Sequence, residues 1–281
     1  MTSNEPETLG ESREPREPDA ALPIPAGVGF AARTNGLRDA LVVAVLVVFV
    51  GLIARASLDP LTRALVTRIP ASIDTEFGQK LADVQRATGT PIEDVRAVHL
   101  RDLASVVAPR VGEAAGVQTP LTGLRVTLLD AGEVNAFALP GGEVFVLRGL
   151  LEAKGMSDDV LVGILAHELA HAALRHGVTG LVRRNVVRSA AVVLFGGLDA
   201  GTVALVGSGL SLGDLAYDRS MEDDADAVAG RVLRALGRPV EPLAAFLEQL
   251  DDLGPTVALF TNHPAGRDRA ARLRAAAHAS P

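Results

Sequence analysis

Chemistry first becomes visible at His167-Glu168-Leu169-Ala170-His171. On a helix, residues four apart stand one above the other on the same face. The imidazoles of His167 and His171 can therefore share one Zn²⁺ at about 2.0–2.1 Å each. Glu168 follows His167 by one residue, about 100° further round the helix, and can reach a water beside the metal without ligating it. Zinc lowers the pKa of such a water toward about 7, and a carboxylate that takes its proton leaves a nucleophile fit to attack a carbonyl. Two histidines do not complete a catalytic site, which needs a third protein ligand and an open position. Downstream lies Glu222-Asp223-Asp224-Ala225-Asp226, in a segment that also reads as helix, with Glu222 and Asp226 again four apart. Glu222 can complete a His₂Glu set for one zinc per chain. Asp226 can accept a hydrogen bond from the second ring nitrogen of a ligating histidine and fix its tautomer. Taken alone, the acidic run reads as a solvated helix start; the upstream histidine pair favours the ligand reading.

Several elements must hold these residues. Ser157 followed by Asp158 and Asp159 has the form of an N-cap with acids in the first turn, and it predicts a helix running through His176. Before it, Leu124–Asp130 alternates in part. Val134–Leu139 and Glu143–Leu147 flank Pro140-Gly141-Gly142, where proline then glycine predicts a type II turn and a β-hairpin. From Leu61 to about Gly116 the pattern is helical. Ile73, Phe77, Leu81 and Val84 recur at helical spacing; Val95, Val98, Leu103, Val106 and Val107 do so less regularly. Further helices are expected over 179–195, 219–236, 240–253 and 264–278. The fold class this predicts is α+β, mainly helical, with one small sheet.

Composition narrows the remaining options. The chain has 281 residues and no cysteine, which excludes disulfides, thiolate metal sites and cysteine nucleophiles. Net charge is −7 and aromatics are 3%, with no tryptophan and Tyr217 as the single tyrosine, so no nucleic-acid partner is expected. Residues 1–36 mix acids with prolines and read as a disordered tail. Ala40–Ala54 then carries no polar residue. Its fifteen residues span about 22 Å of helix against a hydrocarbon core of about 30 Å, and flanking arginines can snorkel. An uncleaved single-pass anchor over 38–58 is the preferred reading, above a cleaved signal peptide or a buried core helix. It leaves 61–281 as the domain. A second apolar stretch, 189–217, contains Asp199 and six glycines and is expected to be an interrupted connection beside the site, not a second span. The sequence assigns no oligomeric state.

Four blocks, in order, carry a resemblance. They are Asn135-Ala136-Phe137-Ala138-Leu139-Pro140-Gly141-Gly142, Leu165-Ala166-His167-Glu168-Leu169-Ala170-His171 with Arg175-His176 following, Tyr217 through Asp226, and Asn262-His263-Pro264 with Arg269 and Leu273. Together, over about Ile69 to Leu273, the chain resembles the M48 family of zinc metallopeptidases, and most of all its Oma1-like single-domain members. It departs from the family pattern at Asp218 for serine and Asp224 for glutamate, neither of them a ligand position. The resemblance implies a gluzincin-type metallopeptidase domain with His167, His171 and Glu222 as zinc ligands, Glu168 as catalytic base and Asp226 behind the ligands. It places His263 toward the zinc, as a transition-state donor or an inhibitory extra ligand. It places the hairpin residues Asn135, Ala136 and Phe137 beside the cleft, where they would pair with an extended substrate. The implied function is a membrane-anchored metalloendopeptidase acting on misfolded or membrane-associated polypeptides, its catalytic domain outside the cytoplasm. The rivals are a non-catalytic or self-inhibited zinc module serving as a holdase. His176 is expected to be structural, its charge suiting the end of the zinc helix.

Overall fold

A computed structural model describes residues 40–41, 45, 60–117, 121, 123–184, 218–252, 263 and 266–278. The chain divides into two units, Met1–Gly51 and Leu52–Pro281. The second holds every element named below. The tail over 1–36, most of the apolar run, the 189–217 stretch and Tyr217 lie outside the described residues.

In chain order the elements are α1 (Ala71–Thr88), β1 (Pro91–Ile92), α2 (Val95–Ala115), β2 (Arg125–Leu129), β3 (Ala136–Ala138), β4 (Glu143–Leu147), α3 (Arg148–Leu151), α4 (Asp158–Ala173), α5 (Arg219–Ala235), α6 (Glu241–Asp252) and α7 (Gly266–His278). The fold is mainly helical with one four-stranded mixed sheet, ordered β1-β2-β4-β3. β4 runs parallel to β2 and antiparallel to β3. All five β4 residues are buried, as befits a central strand whose apolar run does not alternate. β3 lies at the edge.

The predicted hairpin is present as β3 and β4. Gly142 N–H donates to Leu139 O at 3.1 Å, and Gly141 sits at φ 87° in the third turn position, which a side chain would disfavour. β1 escaped the sequence reading because two residues carry no periodic signal.

α4 is buried from Val160 through Ala173. It packs on α2, α5 and α6 and on the strands β3 and β4. Ser157 accepts from Val160 N–H as the predicted cap. The helix stops at Ala173, three residues earlier than expected. Arg175 adopts φ 58°, a left-handed conformation costing about 1–2 kcal/mol for a residue with a Cβ. Its guanidinium offsets that cost by gripping Asp74 of α1 through two bonds of 2.7 Å and donating to Val66 O at 2.9 Å.

The apolar faces of α1 and α2 differ from expectation. Ile73 and Val84 are exposed, and α1 buries Asp74, Gly78 and Ala82 instead. A Cβ on Gly78 would stand 1.8 Å from Pro140 O, so this face of α1 must be small to lie against the hairpin turn. On α2 the buried stripe is Ala97, Leu100, Ala104, Val107 and Val111, while Val95, Val98 and Val106 face outward. The stripe holds two alanines, which a reading keyed to large apolar residues passes over.

Candidate metal centre

α4 and α5 cross so that their two four-residue pairs face each other. Asp218 caps α5 by accepting from Met221 N–H at 3.0 Å, and this fixes the helix start one turn before Glu222. Aspartate is as good a cap as serine. α5 buries Met221, Glu222, Ala225 and Asp226 on one face, so the acids turn inward toward α4 and away from water. This placement overturns the solvated-helix reading for Glu222 and Asp226, while Asp223 and Asp224 between them stay exposed.

His167, His171, Glu222 and His263 each offer one ligand atom, and those atoms lie within 4.8 Å of one another. All four residues are buried. His171 Nε2 is 3.0 Å from His167 Nε2 and 3.3 Å from Glu222 Oε1. His263 Nδ1 is 3.3 Å from His167 Nε2 and 2.9 Å from Glu222 Oε1. Glu222 Oε2 is 3.4 Å from His167 Nε2. Four donors at about 2.0–2.1 Å around a tetrahedral ion are separated by about 3.3 Å along each edge. The five separations, 2.9–3.4 Å, lie near that edge, with Glu222 meeting His171 and His263 through Oε1 and His167 through Oε2, and the donor set, three imidazoles and a carboxylate, is one that zinc takes.

Behind the cluster stands Asp226. Its Oδ1 is 2.9 Å from His167 Nδ1, on the ring nitrogen turned away from the cluster. Arg269 of α7 donates to Asp226 through Nε at 3.0 Å and Nη2 at 2.8 Å, a two-pronged pair in a buried setting. Its Nη1 lies 3.3 Å from Glu222 Oε2. Arg269 was matched in the sequence but given no role. It is buried with Ala270 and Leu273, and the sequence offers no signal that separates it from the neighbouring arginines. Beyond Arg175 lies His176, with Nδ1 3.0 Å from His171 Nδ1. Burial pushes His176 down to about 4, so it carries no charge at neutral pH. The expected charge–dipole role at the helix end is therefore replaced by a neutral ring packed against His171.

The charges of the cluster are strongly coupled. Burial and the Arg269 charge both push His167 down, yet its bonds to the Asp226 and Glu222 carboxylates outweigh them and raise it to about 9. Burial, above all, holds His171 well below the ordinary histidine value. Burial would raise Glu222, but His263, His167 and His171 hold it ionised far below the carboxylate range. Burial would raise Asp226 as well, and Arg269 with His167 overcomes it.

Glu168 is 1% exposed and points from α4 toward the sheet edge, where Oε2 accepts from Ala138 N–H of β3 at 3.0 Å. Its Oε1 is 3.4 Å from His263 Nε2. A cavity of about 20 Å³, room for about one water, touches His167, Glu168, His263 and Arg269 against an apolar wall of Ile164, Leu243 and Leu247. Asn135 and Ala136 are buried and Phe137 is half-buried, stacked on Phe145 at 5.2 Å. The structure thus brings His167, Glu168, His171, Glu222, Asp226 and His263 into one cluster and sets the 135–138 strand along its rim. Asn262 and Pro264 lie outside the described residues.

Comparison with known proteins adds a second line. Residues 99–277 match the sequence profile described as peptidase family M48. Metalloprotease YcaL of Escherichia coli (strain K12) is 30% identical over 178 residues, which cover 59% of this chain and 66% of YcaL. Metalloprotease LoiP of the same strain is 31% identical over 150 residues, covering 51% of this chain and 59% of LoiP. The mitochondrial metalloendopeptidase OMA1 of Schizosaccharomyces pombe is 30% identical over 147 residues, covering 50% and 42%. The matched part of the chain thus spans about two thirds of YcaL and less of the others.

Proposed function

This chain belongs to peptidase family M48, and on that premise we propose that it is a zinc-dependent endopeptidase of gluzincin type that hydrolyses extended polypeptides. One observation supports this most: four buried donor atoms, three from histidines and one from a glutamate, lie within 4.8 Å of one another, close enough to share one ion. His167, His171 and Glu222 would hold one zinc. The metal would supply Lewis acidity toward the scissile carbonyl and lower the pKa of an attacking water.

The chain's own residues do the rest. Glu168 accepts the proton of the attacking water and returns it to the leaving amine, as general base and then general acid. Asp226 holds the His167 tautomer through Nδ1 and is itself held by Arg269. The strand carrying Asn135, Ala136 and Phe137 offers a line along which an extended substrate adds, through the main-chain groups of Ala136, since those of Asn135 and Phe137 are turned toward β4. A strand-adding cleft selects unfolded or locally extended chains over folded ones.

We propose also that 1–36 is a tail, that 38–58 anchors the protein in a bilayer, and that 61–281 is the peptidase domain, facing the extracytoplasmic side. What supports the anchor is the fifteen-residue apolar run. Such an anchor would hold the cleft near membrane-associated or misfolded membrane substrates.

His263 favours a resting, self-inhibited form of the same enzyme. Its Nδ1 stands in the ligand cluster, at the place a substrate carbonyl or water would need. A substrate or partner that draws His263 aside would open the site, after which its ring is free to serve as a donor.

The direct test is to incubate the purified protein with an unfolded polypeptide such as reduced casein, with and without a chelator. Cleavage that the chelator stops and added zinc restores supports the peptidase. Intact casein in every arm, including with His263→Ala, favours the holdase reading.

A further inference from the structure

The edge strand and the general base meet at one hydrogen bond. Antiparallel pairs alternate between those that exchange main-chain bonds and those that do not. Leu139 N–H donates to Glu143 O at 2.7 Å, and Leu147 N–H donates to Asn135 O at 3.0 Å. With Phe137 opposite Phe145, residues 135, 137 and 139 turn their main-chain groups toward β4. Ala136 and Ala138 therefore turn theirs away from β4. The outward N–H of Ala138 already has a partner. It donates to Glu168 Oε2 at 3.0 Å, with Ala138 3% exposed and Glu168 1% exposed. The other carboxylate oxygen faces His263 Nε2 at 3.4 Å.

Resting on the peptidase reading, we propose that the Ala138 N–H is the positioning group for Glu168, and that a substrate strand added to β3 leaves this N–H unused. The added strand takes its main-chain bonds from the outward groups of Ala136 and from the Ala138 carbonyl. The physical reason is the geometry a base requires. A free glutamate samples many rotamers, and most turn its oxygens away from the attacking water. A buried N–H fixes one oxygen, so the second stays aimed into the cluster. A hydrogen bond to a charged acceptor contributes about 1.5–3 kcal/mol, or about 10–100-fold in an equilibrium between aimed and unaimed carboxylate. Because Ala138 makes no ladder bond through this N–H, the donor can be removed without cutting the sheet.

Two measurements on the full-length, zinc-loaded protein test the proposal. The first is hydrogen exchange resolved to single amides. Ala138 is expected to be protected in the wild type and to exchange about tenfold faster or more in Glu168→Ala, while Phe137, bonded to β4, stays protected. Unchanged protection of Ala138 in Glu168→Ala would overturn the proposal. The second is kinetic. Ala138→Pro deletes the N–H, and replacing Ala138 with L-lactic acid deletes it with no added ring. In both, kcat on an unfolded substrate is expected to fall about 10–100-fold with KM within about twofold and zinc content unchanged. A rise in KM with kcat intact would assign the N–H to the substrate strand and overturn the proposal. Should the wild type hydrolyse nothing, the peptidase reading falls, while the exchange measurement still decides the contact.

Discussion

At the residue scale, the histidine pair and Glu222 were legible because metal chemistry demands few residue types at fixed helical spacings. Arg269 was not, since nothing in the run Arg267-Asp268-Arg269-Ala270-Ala271-Arg272 marks which arginine turns inward. Its role can be tested. Arg269→Ala removes the buried guanidinium that pairs with Asp226 and leaves that carboxylate only His167 as a partner, so we expect folding stability to fall by about 3–5 kcal/mol and zinc affinity by about 10–100-fold. Arg269→Lys keeps the charge and loses the fork, so its affinity should fall between wild type and Arg269→Ala in a chelator competition titration. Equal affinity in all three would remove Arg269 from the metal's support. His263→Ala separates the two readings of that ring. With His263 in the ligand cluster at rest, the expected result is a higher initial rate with zinc retained; a lower rate would make it a required donor instead.

At the element scale, the second acidic helix is held at its start by Asp218. Asp218 accepts from Ser220 Oγ at 2.7 Å and Met221 N–H at 3.0 Å, and it also pairs with Arg183. Asp218→Ala should cost about 0.5–2 kcal/mol in thermal or denaturant melts. Burial opposes ionisation at Asp218, yet these bonds bring its carboxyl below its ordinary value. The cap's contribution is therefore complete above the unfolded carboxyl value of about 3.9 and is lost as pH falls through the lower folded value. The stability gap between wild type and Asp218→Ala should be flat near neutral pH and close in acid. A gap that stays constant into acid would mean that the neutral acid caps as well as the anion. The hairpin, the zinc helix and the helices α5, α6 and α7 were legible from turn residues, caps and period; of the expected 179–195 helix, 179–184 is helical and the rest lies outside the described residues. The faces of α1 and α2 were not. Gly78 and Ala82 are buried because the Pro140 carbonyl approaches α1 closely, and a pattern keyed to large apolar residues cannot register contacts made by small ones. The pairing of β2 with β4 was hidden for a related reason: it is parallel and nonlocal, and no local signal specifies it.

At the scale of the whole molecule, the proposed anchor and the cleft make one functional claim, that catalysis happens beside a bilayer. The full-length chain should resist carbonate extraction from membranes, and a chain starting at Ser57 should be released. A mature protein beginning at Ser57 would show a cleaved leader instead. Among the described residues no helix is long and apolar enough to cross a membrane, so the helical core supplies no second span there. What the core supplies is rigidity. α4 is enclosed by α2, α5, α6 and the sheet, and a donor set held by such a scaffold needs little rearrangement to take up a metal. The proposed mechanism requires that this donor set carry zinc while Glu168 carries the chemistry. Metal analysis beside casein turnover for the wild type, Glu168→Gln and Glu222→Ala tests this most directly. About one zinc per chain is expected in the wild type and in Glu168→Gln, turnover lowered by about 10²–10⁴-fold in Glu168→Gln, and neither zinc nor turnover in Glu222→Ala. Near-normal turnover in Glu168→Gln, or full zinc in Glu222→Ala, would contradict the mechanism.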